Sequence, residues 1–148
     1  MTALSYDVDE ARCIATVNYY APPSFPEWRR VLGRLTTHAA FQPHFGVLFD
    51  RSRVYALADA SELNQMVRIL DEERSNGRIA GRCAIVVHDA ASYEIGKMAE
   101  QISSYENSIR TFHRLDDAER WATEKEAEPQ NEAAAPGIEL DAPAAAIG

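Results

Sequence analysis

The sequence has few cysteines and no long hydrophobic run, and each shortage excludes a class of protein. Cys13 and Cys83 are the only cysteines in 148 residues and form no Cys-x-x-Cys motif, so we expect buried thiols in strands rather than a disulfide framework. No apolar stretch reaches the roughly 18 residues of a membrane span, so none is expected. The first residues lack the basic and apolar segments of a secretion signal, which predicts a cytoplasmic protein.

Positive charge is also in short supply. Fifteen basic residues against 23 acidic ones give a net charge of -8 at pH 7, which opposes binding to a phosphate backbone. Nucleic acid is therefore not an expected partner. Six acidic residues and one basic residue lie from Glu124 onward, so the preceding chain is nearly balanced in charge.

The motifs of catalysis and cofactor binding are missing as well. There is no glycine-rich phosphate loop between a strand and a helix, and no Gly-x-Ser-x-Gly nucleophile motif. The histidines include no i, i+4 pair and no His-x-His; they are His38, His44, His88 and His113. We therefore expect no metal site, no nucleotide and no other cofactor.

Five segments have the residue pattern of β-strands. The first two alternate and are joined by a short polar stretch, which predicts an antiparallel hairpin. The next two are continuously apolar, as in strands buried on both faces, and the last alternates like an edge strand. The segments are Leu4–Val8, Cys13–Tyr19, Phe45–Asp50, Arg82–His88 and Ser108–His113.

Four segments have the spacing of amphipathic helices, with Ser or Asp residues at their starts. They run from about Ser24 to His38, from Asp59 to Asn76, from about Ser92 to Ser104, and from Asp116 through Trp121. In the third, the residues expected to face inward are Ile95, Met98, Ala99 and Ile102. The order β β α β α β α β α predicts an α/β fold with a mostly parallel five-stranded sheet, about four helices and an antiparallel N-terminal hairpin strand.

The composition changes near the end of the chain. Beyond about Glu128 there is no aromatic residue and there are few large aliphatic ones, while alanine, proline and acidic residues dominate. Such a segment cannot bury enough apolar surface to order itself. We therefore assign residues 1–125 to one domain and residues 126–148 to an acidic, Ala/Pro-rich flexible tail.

Three of these segments together resemble a known family. They are Leu48-Phe49-Asp50, the strand Arg82–Val87, and the closing pair Ile109–Phe112 and Leu115–Trp121, in which a strand is followed by acidic residues, alanine and tryptophan. The pattern resembles the SpoIIAA-like group of the STAS superfamily (sulphate transporter and anti-sigma factor antagonist). The resemblance implies successive β-α units with an antiparallel first strand, and a role as a protein-interaction or ligand-sensing module of a bacterial-type regulator.

The chain departs from the signalling members of that family after the third strand. Those members have an Asp-Ser-Ser-Gly-like turn with a phosphorylatable serine, whereas this chain has Asp50-Arg51-Ser52-Arg53 without a glycine. Ser52 lies in the corresponding region and is the candidate phosphoacceptor. Because several residues separate it from the second helix, we expect an exposed loop serine rather than a kinase-controlled switch.

Charged and titratable residues follow the three predicted parallel strands. Ligands of open α/β sheets bind beyond the carboxyl ends of the strands, so these residues are candidates for contact with a ligand or partner. Asp50 could orient a histidine for acid-base chemistry, or the residues could be polar because buried strands reach the surface there. The candidates are Asp50, Arg51, Ser52, His88, Asp89 and His113.

Three functions are compatible with these residues. The first is a non-enzymatic module that contacts another protein, which could be a second copy of the chain. The second is a carrier or sensor of a small apolar or amphipathic ligand, since some SpoIIAA-like proteins are structurally akin to the CRAL-TRIO lipid-carrying fold. The third is a small enzyme that uses Asp50 and His88. With no catalytic motif, we expect the first.

Overall fold

The fold is seen in a computed structural model that describes residues 2–54 and 59–124. A five-stranded sheet has the spatial order β1-β2-β3-β4-β5. β1 and β2 pair antiparallel and every later neighbour pairs parallel, as predicted. The strands are β1 Leu4–Asp9, β2 Ile14–Tyr19, β3 Gly46–Asp50, β4 Cys83–Val86 and β5 Ile109–Phe112. The predicted tail, residues 126–148, lies outside the described residues.

Four helices cover the two faces of the sheet. The larger core lies on the face that packs against the first three helices, and it takes alternate residues of β3 such as Val47 and Phe49. A smaller core, which includes Leu48, lies under the last helix. The two-sided burial predicted for β3 and β4 is therefore confirmed. The helices are α1 Phe25–Thr36, α2 Ala60–Ser75, α3 Ala90–Glu100 and α4 Leu115–Thr123.

Side chains at the helix starts fix where most of the helices begin. Ser24 accepts a hydrogen bond from the Glu27 N–H at the start of α1, and Asp59 and Asp89 do the same for α2 and α3. The prediction of an aspartate cap for α4 is wrong. Arg114 occupies the N-cap position, and its side chain forms no capping hydrogen bond. The acidic pair Asp116-Asp117 lies in the first turn instead, where negative charge is favourable.

The inward face predicted for α3 is partly wrong. Met98 is 68% exposed and Ile102 is also exposed, whereas Ala99 is buried as expected. The buried positions are Ser92, Gly96 and Ala99. A Cβ at Gly96 would lie 2.6 Å from the Thr111 side chain, so α3 approaches β5 too closely for large residues on that face.

Only one of the two cysteines is an interior strand residue. Cys83 is buried in β4, and burial raises its pKa to about 11. Cys13 lies half-buried in the turn between β1 and β2, with φ at 57°. The expectation of two strand cysteines is therefore wrong for Cys13, because the turn of the hairpin extends to that residue.

Candidate functional site

Asp50 ends β3 and holds the loop that follows it. Its buried carboxylate accepts two hydrogen bonds at Oδ1, from the Ser52 N–H at 3.0 Å and from the Ser52 hydroxyl at 2.6 Å. Its Oδ2 lies 3.7 Å from the Arg53 guanidinium. The carboxylate therefore fixes the turn 50–53 through local contacts, as aspartates commonly do after strands.

Arg51 connects this loop to two other elements. Its side chain is only 4% exposed, and its Nη1 donates to Glu62 Oε2 at 2.8 Å while Nη2 lies 3.5 Å from Oε1. The guanidinium also lies 4.8 Å from the ring centroid of Tyr19. A planar cation is well suited to a two-pronged ion pair that also stacks on an aromatic ring. Arg51 thus joins β3 to the first turn of α2 and to the end of β2.

Tyr19 lies beneath that guanidinium and has no access to solvent. Burial raises the pKa of its phenol, although the positive charge of Arg51 acts in the opposite direction. The hydroxyl donates to the sulfur of Met66 at 3.7 Å. The buried indole N–H of Trp28 lies near this phenol. Among the described residues, no acceptor is placed to form a hydrogen bond with it.

A groove lies beside this cluster, at the carboxyl ends of β2 and β3, and we call it the Arg51 groove. Its volume is about 380 Å³. One wall is apolar, with two prolines and Phe25, and the other is polar, with the first turn of α2. The lining residues are Pro22, Pro23, Phe25, Arg51, Val54, Asp59, Ser61, Glu62 and Gln65. Open α/β sheets bind their ligands at this edge.

Two exposed side chains belong to the same end of the sheet. Tyr20, directly after β2, is 51% exposed. The Arg53 guanidinium lies 5.8 Å from its ring centroid, and the Arg53 side chain is also largely exposed. Ser5 donates a hydrogen bond to the Tyr20 hydroxyl at 3.2 Å. A solvated cation thus lies over a solvated aromatic ring.

The remaining candidates meet at the ends of β4 and β5. Asp89 Oδ1 accepts a hydrogen bond from the Ser92 N–H at 2.6 Å, and this bond lowers the pKa of the carboxyl group. The nearby charges of His88 and His113 lower that pKa further. His113 stacks on Tyr93 with the ring centroids 4.2 Å apart. Both histidines therefore lie close enough to the Asp89 carboxylate for their charges to act on it.

The predicted pair of Asp50 with His88 stays a prediction. The sheet register places Asp50 beside Val86, two residues before His88 in the chain. The Asp50 carboxylate contacts described above go to Ser52 and Arg53. In residues 2–54 and 59–124, no three His, Cys, Asp or Glu side chains form a group that could hold a metal ion.

Sequence reasoning missed Glu62, which completes the cluster around Arg51. A signal was available, since an arginine next to a buried strand needs a nearby acid and Glu62 lies in the first turn of the following helix. The neighbouring side chains of Tyr19 and Tyr20 also lie in different surroundings, as alternation along a strand predicts. Tyr19 is in the core and Tyr20 is in solvent.

None of the described helices is long and apolar enough to cross a lipid bilayer. No protein-family model matches the chain, and no curated protein sequence does so either.

A solved structure shows the same fold. It is an uncharacterized protein of the DUF3478 family from Shewanella loihica PV-4, described as having a SpoIIAA-like fold. The similarity covers 82% of this chain and 95% of that protein, with a TM-score of 0.54 and 13% sequence identity. The chain therefore has a SpoIIAA-like fold, which confirms the architecture implied by the sequence resemblance.

Proposed function

We propose that the protein is a non-enzymatic regulatory module of the cytosol that acts through contact with another protein. The observation that carries this proposal is the set of contacts after β3. Asp50 is engaged by Ser52 and Arg53, and Arg51 is buried against Glu62. These charged groups are engaged in contacts within the turn 50–53 and with Glu62, which favours a role in recognition over a role in proton transfer.

The contact surface consists of Tyr20, Arg53 and the Arg51 groove. Tyrosine and arginine are the residue types most often found at the energetic centres of protein interfaces, together with tryptophan. Both side chains are solvated here, and the groove beside them has an apolar wall. Such a surface offers a partner both an aromatic anchor and a recess.

A variant pair tests this surface. We expect Tyr20→Ala/Arg53→Glu to lose the partner that the unmodified chain retains in quantitative affinity enrichment from a lysate of the source organism. Arg120→Glu, an equal charge change on exposed α4, should retain it. Thermal unfolding would verify that all three chains are folded. An identical set of enriched proteins for all three would contradict the proposal.

The Arg51 groove also supports a second candidate, the binding of a small amphipathic ligand. Its volume of about 380 Å³ lies within the usual range of small-molecule sites, and its walls are apolar on one side and polar on the other. Native mass spectrometry of the purified chain would detect a retained molecule. A bound mass that Gln65→Ala or Phe25→Ala removes would favour this function over contact with a protein.

A further inference from the structure

The first strand of the sheet has an open edge. β1 begins the strand order, so in the described part of the chain it has a neighbouring strand only on the β2 side. The strand is six residues long, contains no proline, and pairs with β2 in a continuous register without a bulge. An edge of this kind is able to pair with a further strand.

The backbone groups that reach this edge belong to alternate residues. The Tyr20 N–H donates to the Ala3 carbonyl at 2.8 Å, so the odd-numbered residues of β1 bond to β2. Leu4, Tyr6 and Val8 direct their N–H and C=O groups to the open edge instead. Among the described residues, these three N–H groups have no hydrogen-bond partner.

A groove runs along this edge beside α1, and we call it the β1 groove. It has a volume of about 280 Å³. The strand contributes Leu4 and Tyr6, among others, to its lining. α1, which packs against β1, contributes Glu27, Arg30, Val31 and Arg34. A strand added to β1 would therefore lie beside these helical residues.

The α1 wall of the groove is positively charged. Arg30 and Arg34 are one helical turn apart and exposed, and neither forms an ion pair with another described residue. Glu27 is the one acid among the lining residues, and its Oε2 accepts a hydrogen bond from the Ala3 N–H at 3.1 Å. The Asp7 side chain lies on the opposite face of β1, because side chains alternate along a strand. The groove therefore favours carboxylates on the α1 side only.

We propose that the β1 groove binds an extended acidic segment of a partner protein as a sixth strand of the sheet. The main chain of the segment pairs with the outward N–H and C=O groups of β1. Its carboxylates lie on the α1 side and pair with Arg30 and Arg34, since a guanidinium matches the geometry of a carboxylate. The proposal goes beyond the proposed function, because it assigns a second surface that includes neither Tyr20 nor Arg53.

A second copy of the chain suits this edge poorly. An antiparallel, two-fold symmetric pair of β1 strands would place both α1 helices on the same face of the joined sheet, next to the symmetry axis. Arg30 and Arg34 of one copy would then approach the same residues of the other, and like charges that lie opposite each other are destabilising. An acidic segment supplies the charge that these arginines lack.

Titration of the full-length chain with a synthetic peptide, followed residue by residue by NMR, tests the proposal. The probe is the capped heptapeptide Thr-Glu-Thr-Glu-Thr-Glu-Thr, and the control peptide has glutamine in place of each glutamate. We expect the probe at millimolar concentration to shift the Tyr6 and Val8 amide resonances and to slow their hydrogen exchange at least about threefold. The control peptide should have a smaller effect. No response of these two amides to the probe would overturn the proposal.

A pair of variants tests the role of the arginines. Arg30→Glu/Arg34→Glu should weaken binding of the probe at least about fivefold. Arg68→Glu/Arg120→Glu makes the same charge change on the exposed surfaces of α2 and α4, and it should alter binding less than about twofold because those sites are screened from the groove. Equal losses in both variants would overturn the proposal, because net charge alone would then explain binding.

Hydrogen exchange of the chain without peptide distinguishes the other occupants of this edge. We expect the Tyr6 amide to exchange at least about tenfold faster than the Ser5 amide, which bonds to β2. Protection of Tyr6 that increases with protein concentration would overturn the proposal, because a second copy would then cover the edge. Protection that is independent of concentration would overturn it too, since another part of the same chain would then cover it.

Discussion

The contacts of Arg51 explain why a charged residue can follow a buried strand. Its guanidinium leaves water but gains a carboxylate at 2.8 Å and an aromatic ring at 4.8 Å. A buried ion pair of this kind contributes little net stability compared with an apolar pair, yet the loss of one partner is costly because it leaves a charge without compensation. The buried charge of Arg51 therefore makes the free energy of unfolding sensitive to substitution of Glu62.

We expect Glu62→Gln to lower the free energy of unfolding by about 2–3 kcal/mol, which is below the usual loss for a fully buried pair because Glu62 is partly exposed. Urea unfolding would measure the change. Arg120→Gln, in an exposed pair with Asp117, should cost no more than about 1 kcal/mol. Equal losses in both variants would contradict the special role of Glu62. Arg51→Met/Glu62→Leu should recover part of the loss.

Asp89 makes stability depend on pH, because folding lowers the pKa of its carboxyl group. A lowered pKa stabilises the folded state at pH values above the ordinary pKa of aspartate. This stabilisation is lost as the pH falls through the folded-state pKa. We therefore expect the stability difference between the unmodified chain and Asp89→Asn to shrink between pH 5 and pH 3. Urea unfolding at several pH values would measure it.

A variant of a neighbour provides a check on the Asp89 prediction. His113→Gln removes a positive charge that lowers the pKa of Asp89, so NMR titration should show that pKa moving up. An unchanged Asp89 pKa in this variant, together with a stability difference that stays constant with pH, would be incompatible with the charge cluster at the ends of β4 and β5.

At the scale of elements, the close approach of α3 to β5 decides how the helix is oriented. Gly96 lies against the side chain of Thr111, whereas a Cβ added at Gly33 in α1 would have no neighbouring atom within 4 Å. Both are helical glycines, so the cost of glycine in a helix is common to them. The two positions differ in burial and in what an added methyl group would meet, since Gly96 is buried and Gly33 is exposed.

The same substitution should therefore act in opposite directions at the two glycines. We expect Gly33→Ala to raise the free energy of unfolding by about 0.4–1 kcal/mol, because it removes chain entropy without a clash. Gly96→Ala should lower it by about 1–3 kcal/mol through overpacking against Thr111. Chemical denaturation of both variants would measure the signs. A stabilised Gly96→Ala would mean that α3 lies further from the sheet, and Thr111→Ser should relieve part of any clash.

At the scale of the whole molecule, one sheet separates two cores of unequal size. The larger core has the long apolar side chains of α1 and α2, whereas the smaller one contains the alanines of α4, Ala118 and Ala122. Because the sheet is covered on both faces over β3 and β4, the described residues have the interior that a stable domain needs. The domain should therefore fold without the end of the chain.

Truncation after residue 126 tests this independence. We expect one cooperative thermal transition and a decrease in Tm of less than about 5 °C, since the removed residues have too little apolar surface to form a core. A larger decrease, or a broadened transition, would contradict the boundary at residues 125–126.

The sequence by itself determined the elements and their order. The continuous apolar runs of β3 and β4 predicted burial on both faces, and alternation predicted the hairpin, because these patterns depend on local backbone geometry. The N-cap residues Ser24 and Asp59 could likewise be predicted, since an N-cap side chain accepts a hydrogen bond from the backbone of its own helix.

Only the tertiary structure decided which side chains meet across elements. The partner of Arg51 is Glu62, and the inward face of α3 depends on Gly96 against Thr111. Neither follows from periodicity, because the distance between two packed elements is set by the volumes of residues far apart in sequence. The strand-end rule located the candidate residues, whereas packing decided that Asp50 holds a turn and that Arg51 lies in a buried ion pair.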